Sequence, residues 1–222
     1  MQNVLNNKFF TENYQMNHTT PINQGTKMQS TLDQIYRTLY YQSICNPADH
    51  DFQNSDKGTV HSYTDYYESL FSPIRDKPIR LLEIGVQGGI SLLLWREYFP
   101  KGEITGIDID FSRVQPKVAA ASDGNQIRML QLDAALPSVT NHLSGKYDII
   151  IDDGSHHFSH QIASFLILEN FLNKDGLYII EDVQTELEAQ YLNKLIPASE
   201  IVDLRKIKNR YDDLLIVYKK EA

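Results

Sequence analysis

The chain holds a single cysteine, Cys45, among 222 residues. One thiol makes no intramolecular disulfide and cannot supply a structural zinc site built on two or more thiolates, so a reducing cytoplasm is the expected setting. No stretch approaches the roughly 18 consecutive apolar residues of a membrane span. Met1 to Phe10 carries Asn and Gln where a signal peptide has its apolar run, and the expectation is a protein that does not use that export route and has no membrane partner. Basic residues are scarce: 21 Lys and Arg stand against 29 Asp and Glu, a net charge of −8. With no Lys/Arg cluster to displace counterions, nucleic acid is not an expected partner. What remains is ordinary globular composition, 41% hydrophobic and 23% charged, in a length that suits one domain with a short appendage.

Residues 1–30 include ten Asn or Gln and few aliphatics, which predicts loop or a partner-dependent arm. From Thr31 the pattern changes. Leu32, Ile35, Tyr36, Leu39, Tyr40 and Ile44 recur at helical spacing, with Thr31 and Gln34 as a candidate capping box. A second helix is expected at Tyr63, Tyr66, Tyr67, Leu70 and Phe71. Residues 1–55 are therefore read as an amino-terminal arm and helix that caps the core or serves oligomerisation, Tyr36, Tyr40 and Tyr41 offering a face for a second copy or, equally, for packing within the chain. Residues 56–222 are read as the main domain.

After Pro78, strand and helix signals alternate. Strands are expected at 79–86, 103–109, 127–132, 147–151 and 177–180, and helices at 88–99 and 114–121. A further helix carries Phe158, Ile162, Phe165, Leu166 and Phe171 and is expected to stop at Asp175-Gly176. Alternation of this kind predicts a doubly wound, mostly parallel α/β sheet. Residues 200–204 and 214–218 read as two strands whose connection is too short for a helical crossover, so an antiparallel hairpin is expected at the carboxyl end. Residues 183–199 are read as a loop.

Glu83-Ile84-Gly85-Val86-Gln87-Gly88-Gly89 lies between the first strand and its helix, the place of the nucleotide-binding loop in such a sheet. It lacks the dinucleotide fingerprint, because Gln87 and Ile90 stand where glycines are needed, and no Gly-Lys-Ser/Thr follows to make a P-loop. Asp108 ends the second strand, placed to accept from ribose hydroxyls, and Asp133 ends the third, placed to accept from an adenine amine. Glu83, Asp108 and Asp133, with no compensating Lys or Arg, suit a ligand with hydroxyls, amines and positive charge. S-adenosylmethionine has all three. A tight turn at the loop and helix capping at Asp108 are the structural alternatives.

The chain resembles the class I S-adenosylmethionine-dependent methyltransferases, and among them the metal-dependent macrolide-sugar and rhamnosyl O-methyltransferases with their cephalosporin-hydroxylase-like relatives. The residues that carry the likeness are Asp56-Lys57-Gly58-Thr59 with His61 and Tyr63, and Leu81 to Val86 running into Gly89 and Ser91. Trp95 to Pro100, Gly106 to Ile109, Asp152-Asp153-Gly154-Ser155-His156 and Ile180-Glu181-Asp182 complete it, over residues 55 to 185. The resemblance implies a Rossmann-like, seven-stranded sheet, Mg2+ (or Mn2+) on Asp153, Glu181 and Asp182, and His156 as general base. The cofactor candidates are Glu83, Gly85, Gly89, Ser91, Asp108, Asp133, Asp152 and Tyr63. The implied activity is O-methylation of a hydroxyl on a small glycosylated metabolite or saccharide.

From the residues themselves, Asp153 and the Glu181-Asp182 pair end successive parallel strands on the carboxyl edge, and hard oxygen donors select Mg2+ or Mn2+. Alternatives stay open at this stage. Asp152 to Ser155 can be a capped strand-to-helix turn, and His156 and His160, four apart as on a helix face, can bind zinc or iron with Asp153. Tyr63, Tyr66 and Tyr67 can face a sulfonium or pack a helix against the core, and core packing is the better reading of Trp95. At the level of function, a cofactor-binding module without catalysis, a methyltransferase for a phenolic or catechol hydroxyl, and a hydroxylase are the rivals.

Overall fold

The computed structural model describes residues 30–44, 55–122 and 126–221. The arm expected at the amino terminus, apart from Ser30, and Cys45 lie outside the described residues. The elements run α1 (Thr31–Ile44), α2 (Tyr63–Phe71), β1 (Arg80–Ile84), α3 (Ile90–Tyr98), β2 (Glu103–Asp108), α4 (Pro116–Ser122), β3 (Ile127–Gln131), β4 (Tyr147–Asp152) and α5 (Phe158–Leu168). They continue as β5 (Leu172–Ile180), α6 (Glu186–Leu195), β6 (Ser199–Asp203), α7 (Arg205–Lys208) and β7 (Leu214–Lys219).

The seven strands form one sheet in the order β3-β2-β1-β4-β5-β7-β6. The first five are parallel, whereas β7 runs antiparallel to both β5 and β6. The doubly wound sheet and the carboxyl-terminal hairpin are thus as expected. Of the two hairpin strands only β6 sits at a sheet edge, because the hairpin folds back to insert β7 beside β5. Strands with both faces covered must be apolar throughout, and Leu81, Leu82, Ile149, Ile150, Ile151, Ile179 and Ile180 are all fully buried. Two apolar clusters result. One holds β1, α2 and α3 with Tyr67, Phe71, Trp95 and Phe99; the other holds α5 and α6 with Phe165, Leu168, Ala189 and Leu192.

Three local expectations are corrected and a fourth is narrowed. The cap of α1 is Ser30, whose hydroxyl accepts from Asp33 N at 3.2 Å, one residue earlier than the expected Thr31 box. Asp175-Gly176 does not end a helix. The helix stops at Leu168, and Asp175, at φ +61°, lies inside β5 and breaks its register against β4. Residues 186–195, expected as loop, are α6, capped by Thr185 Oγ1 accepting from Glu188 N at 3.1 Å. Finally, of the two readings of the α1 tyrosines, Tyr36 takes packing within the chain: it is buried and bonds Ser55 O at 2.7 Å and Thr59 Oγ1 at 2.9 Å, which leaves Tyr41 as the exposed tyrosine of α1.

Candidate active site and metal centre

The carboxyl ends of β1, β2 and β4 open onto a two-chambered cleft. The first chamber, about 340 Å3, is lined by Gly85 to Ser91, Asp108, Asp110, Arg113, Asp153, His156 and Asp182. The second, about 220 Å3, is more apolar, with Ile84, Ile107, Leu132 and Ala134 around Asp108, Asp133 and Asp152. They meet at Gly85, Asp108, Ile109 and Gly154, which line both. Gly85 has to be glycine, since its φ is +87° and a Cβ there would collide with the Asp153 carbonyl oxygen. Asp108 holds the loop: its Oδ2 accepts from Val86 N at 2.7 Å and Gln87 N at 2.9 Å, and its Oδ1 from Asp110 N at 3.0 Å. Gly89, at φ +80°, begins α3 with no side-chain cap, so the first amides of that helix face the chamber.

Not every cofactor candidate reaches the cleft. Ser91 lines the first chamber but gives its hydroxyl to Glu83 Oε2 at 2.6 Å. Glu83 is fully buried, also accepting from Trp95 Nε1 at 3.1 Å, and it does have a compensating cation, Lys57, at 3.4 Å. Its role is therefore to join β1, α3 and the 56–63 segment. Tyr63 is buried as well, its hydroxyl bonded to Asp182 Oδ1. Asp133 accepts from Ala135 N at 2.9 Å within the apolar chamber. Asp152 takes the Ser164 hydroxyl and is pushed up to about 6 by burial.

The acidic centre sits where β4 and β5 end side by side. Asp153 Oδ2 is 2.5 Å from Lys57 Nζ, and Glu181 Oε2 is 2.7 Å from the same nitrogen. Burial alone would lower the Lys57 pKa, but the carboxylates of Asp153, Glu181 and Glu83 outweigh it and hold the ammonium well above the usual lysine range. The other Glu181 oxygen accepts from Tyr67 OH at 2.5 Å, and burial keeps this carboxyl well above its ordinary value. Asp182 is raised to about 6 by burial and then by repulsion from Asp153.

His156 bridges the two remaining carboxylates, with Nε2 at 3.3 Å from Asp153 Oδ1 and Nδ1 at 3.7 Å from Asp182 Oδ2. Its bond to Asp153, partly opposed by burial, lifts it to about 9. Ligand atoms of Asp153, His156 and Asp182 all lie within 4.8 Å of one another. Glu181 stands apart from that trio, held by Lys57 and Tyr67. Burial and then repulsion from Asp153 drive Glu181 and Asp182 upward, whereas Lys57 and His156 outweigh burial at Asp153 and hold it below its ordinary value; hard carboxylate oxygens gathered at this edge are the donors a divalent cation takes. The helix-face pair expected for zinc or iron is not formed: His156, at φ +58°, precedes α5 rather than lying on it, and among the described residues the ligand atoms that converge are those of Asp153, His156 and Asp182, without His160.

Lys57, His61 and Asp213 received no role from sequence, and Tyr67, read as facing a sulfonium or packing a helix, is buried and bonds Glu181. Lys57 and His61 stand in the Asp-Lys-Gly-Thr segment, and a lysine opposite several acidic strand ends was the available signal. Asp213 had none.

The seven-stranded sheet has a Rossmann-like methyltransferase fold, and residues 82–183 match the family model described as Methyltransferase domain. That stretch is a little under half of the chain. Among curated proteins, the 8-demethyl-8-alpha-L-rhamnosyl tetracenomycin-C 2'-O-methyltransferase of Streptomyces olivaceus is 42% identical over 144 residues, 59% of this chain and 35% of the relative. The mycinamicin VI 2''-O-methyltransferase of Micromonospora griseorubida is 37% identical, over 58% of this chain and 33% of the relative. The aligned region thus spans about a third of these relatives' length. Among solved structures, a methyltransferase from the mycinamycin biosynthetic pathway in complex with Mg and SAH superposes with TM-score 0.62 at 27% identity, covering 86% of this chain and 55% of that one. No helix among the described residues is long and apolar enough to cross a membrane.

Proposed function

We propose that the chain is a cytoplasmic S-adenosylmethionine- and Mg2+-dependent O-methyltransferase whose acceptor is a hydroxyl of a small glycosylated metabolite or saccharide. The observation that carries this reading is the approach of the Asp153, His156 and Asp182 ligand atoms to within 4.8 Å on the wall of the glycine-loop cleft. The apolar chamber suits adenine, with Asp133 at its rim, and Asp108 suits the ribose. The polar chamber takes the amino-acid tail and places the sulfonium near His156. Relatives named for methylating sugar hydroxyls supply the acceptor class. Helix α1 serves as a cap over the α3 side, and Tyr41 is the residue of α1 offered to a second copy.

Asp153 and Asp182 hold the cation, with Glu181 behind them fixing Lys57. Mg2+ or Mn2+, when bound, supplies a Lewis acid that lowers the pKa of the acceptor hydroxyl. With the charge of Asp153 and Asp182 taken up by a cation, His156 loses the hold on its own proton, and the neutral imidazole accepts the hydroxyl proton. The oxygen lone pair then attacks the cofactor methyl as the carbon–sulfur bond breaks towards sulfur, giving a methyl ether and S-adenosylhomocysteine. The chain's main contribution is positioning, because methyl transfer asks for little covalent help.

The test is methyl transfer from labelled cofactor to a panel of rhamnosides and other glycosides, with Mg2+ and with chelator. Chelator-sensitive labelling of a sugar hydroxyl is expected. Labelling that persists in chelator would remove the metal from the reading, and S-adenosylhomocysteine binding without transfer to any acceptor would favour a non-catalytic module.

A further inference from the structure

Asp182 lies two residues beyond the end of β5 at φ +54°, a backbone conformation uncommon outside glycine, so strand geometry does not by itself aim its carboxylate. Something else must hold it. Its Oδ1 receives the Tyr63 hydroxyl and lies 3.3 Å from His61 Nδ1, which leaves Oδ2 facing His156. The same Nδ1 is 2.6 Å from Asp213 Oδ1. An ionised carboxylate only accepts, so the proton of His61 sits on Nδ1, between Asp213 and Asp182.

The surroundings leave His61 little freedom. Its ring stacks on Tyr63 with centroids 4.9 Å apart and planes 20° from parallel. Lys208 Nζ bonds the carbonyls of Gly58 at 2.6 Å and of His61, clamping the main chain on either side. Asp213 arrives from the start of β7, which the sheet order places next to β5, with Val183 N donating to Leu214 O at 3.1 Å. His61 is 1% exposed and Asp213 0%, so neither touches anything that enters the cleft.

We propose that His61 and Asp213 form a positioning pair for Asp182, orienting its outer oxygen towards the cation-binding edge of the cleft. This rests on the reading that Asp182 holds the cation. It is the arrangement by which an outer hydrogen-bond partner fixes an inner ligand, and loss of such a partner typically costs 10–100-fold in metal affinity. In the cluster of His61, Asp212 and Asp213, His61 Nδ1 is bonded to Asp213 Oδ1 and Arg210 Nε lies 2.6 Å from Asp212 Oδ1, while Asp213 Oδ2 is buried without a hydrogen-bond partner.

The experiment is a Mn2+ titration of the full chain saturated with S-adenosylhomocysteine, followed by calorimetry. The proteins are wild type, His61→Phe, His61→Asn, Asp213→Asn and the double variant His61→Phe with Asp213→Asn. Phe keeps the stack on Tyr63 and loses the N–H, whereas the Asn side-chain amide restores a donor near the place of Nδ1. His61→Phe is expected to weaken Mn2+ at least tenfold and His61→Asn less than threefold. Asp213→Asn is expected to weaken Mn2+ about threefold or more, with no further loss when combined with His61→Phe. Equal Mn2+ affinity in wild type and His61→Phe overturns the inference while leaving the proposed function intact. If His61→Phe does not fold, Asp213→Asn decides: unchanged affinity overturns the pair. No Mn2+ binding by wild type, with S-adenosylhomocysteine still bound, overturns the metal reading and the pair with it.

Discussion

Lys57 Nζ and Asp153 Oδ2, 96 residues apart in sequence, are 2.5 Å apart in the fold, and the lysine is 1% exposed. The contact ties the segment before α2 to the end of β4. Through Glu181 and Glu83 it reaches β5 and β1 as well. A single ammonium therefore sits under the acidic floor of the cleft.

Replacing Lys57 by Met keeps the length of the side chain and removes its charge, leaving three buried carboxylates with less compensation. Breaking a buried pair by removing one partner costs about 3–5 kcal/mol, so the denaturant midpoint of Lys57→Met should fall by an amount in that range. Urea unfolding checks this. A midpoint equivalent to within about 0.5 kcal/mol of wild type, the scatter of ordinary surface substitutions, would contradict the account of the lysine.

Gly85→Ala tests the loop. The positive φ and the Asp153 carbonyl oxygen both oppose a Cβ, so the backbone between β1 and α3 has to shift and Asp153 with it. S-adenosylhomocysteine affinity is expected to drop more than tenfold in calorimetry. Gln87→Gly, which relieves a non-glycine residue at φ +47°, should leave affinity within about threefold.

Asp108 separates cofactor binding from stability. Its carboxylate lies in both chambers and is only partly buried, so Asp108→Ala should lose at least tenfold in S-adenosylhomocysteine affinity. Methyl transfer at saturating cofactor should fall much less than affinity does. A variant that binds normally would place the ribose elsewhere.

In the ion-free protein the pH dependence of stability should carry the mark of His156. Its pKa is raised from 6.5 to about 9 in the fold, chiefly by the bond to Asp153, so the folded state binds more protons over that interval. Its stabilising contribution is complete below about pH 6.5 and is lost as pH rises through about 9. The Tm difference between wild type and His156→Gln, measured in chelator, should shrink across that range. A difference that is flat or grows with pH would contradict the assignment.

How much of this was legible in the sequence depends on the distance over which each signal acts. The strands from Ile79 and Tyr147 onwards were readable because their apolar runs are local, and Gly85 and the acidic strand ends because topology puts every parallel strand's carboxyl end on one edge. Helix α6 was missed although Thr185 and Glu188 form a capping box, since its exposed face carries Leu187, Tyr191 and Leu195 and blurs the amphipathic pattern. Asp175-Gly176 misled for the opposite reason, a strong turn signal spent on a bulge within β5. The partners of the site were beyond reach. His61 meets Asp213 only because β7 inserts next to β5, and Lys57 meets Glu181 across 124 residues; neither pairing has a local pattern.

The most direct test of the central claim, that the glycine-loop cleft takes S-adenosylmethionine beside a divalent-cation site, is thermal unfolding with S-adenosylhomocysteine, with and without Mg2+, against NADH. At about 100 times its dissociation constant a ligand adds about 2.7 kcal/mol, roughly 5 to 11 °C for a domain of this size. The account predicts such a rise with S-adenosylhomocysteine, a further rise with Mg2+, and none with NADH. A rise with NADH and none with S-adenosylhomocysteine would contradict it.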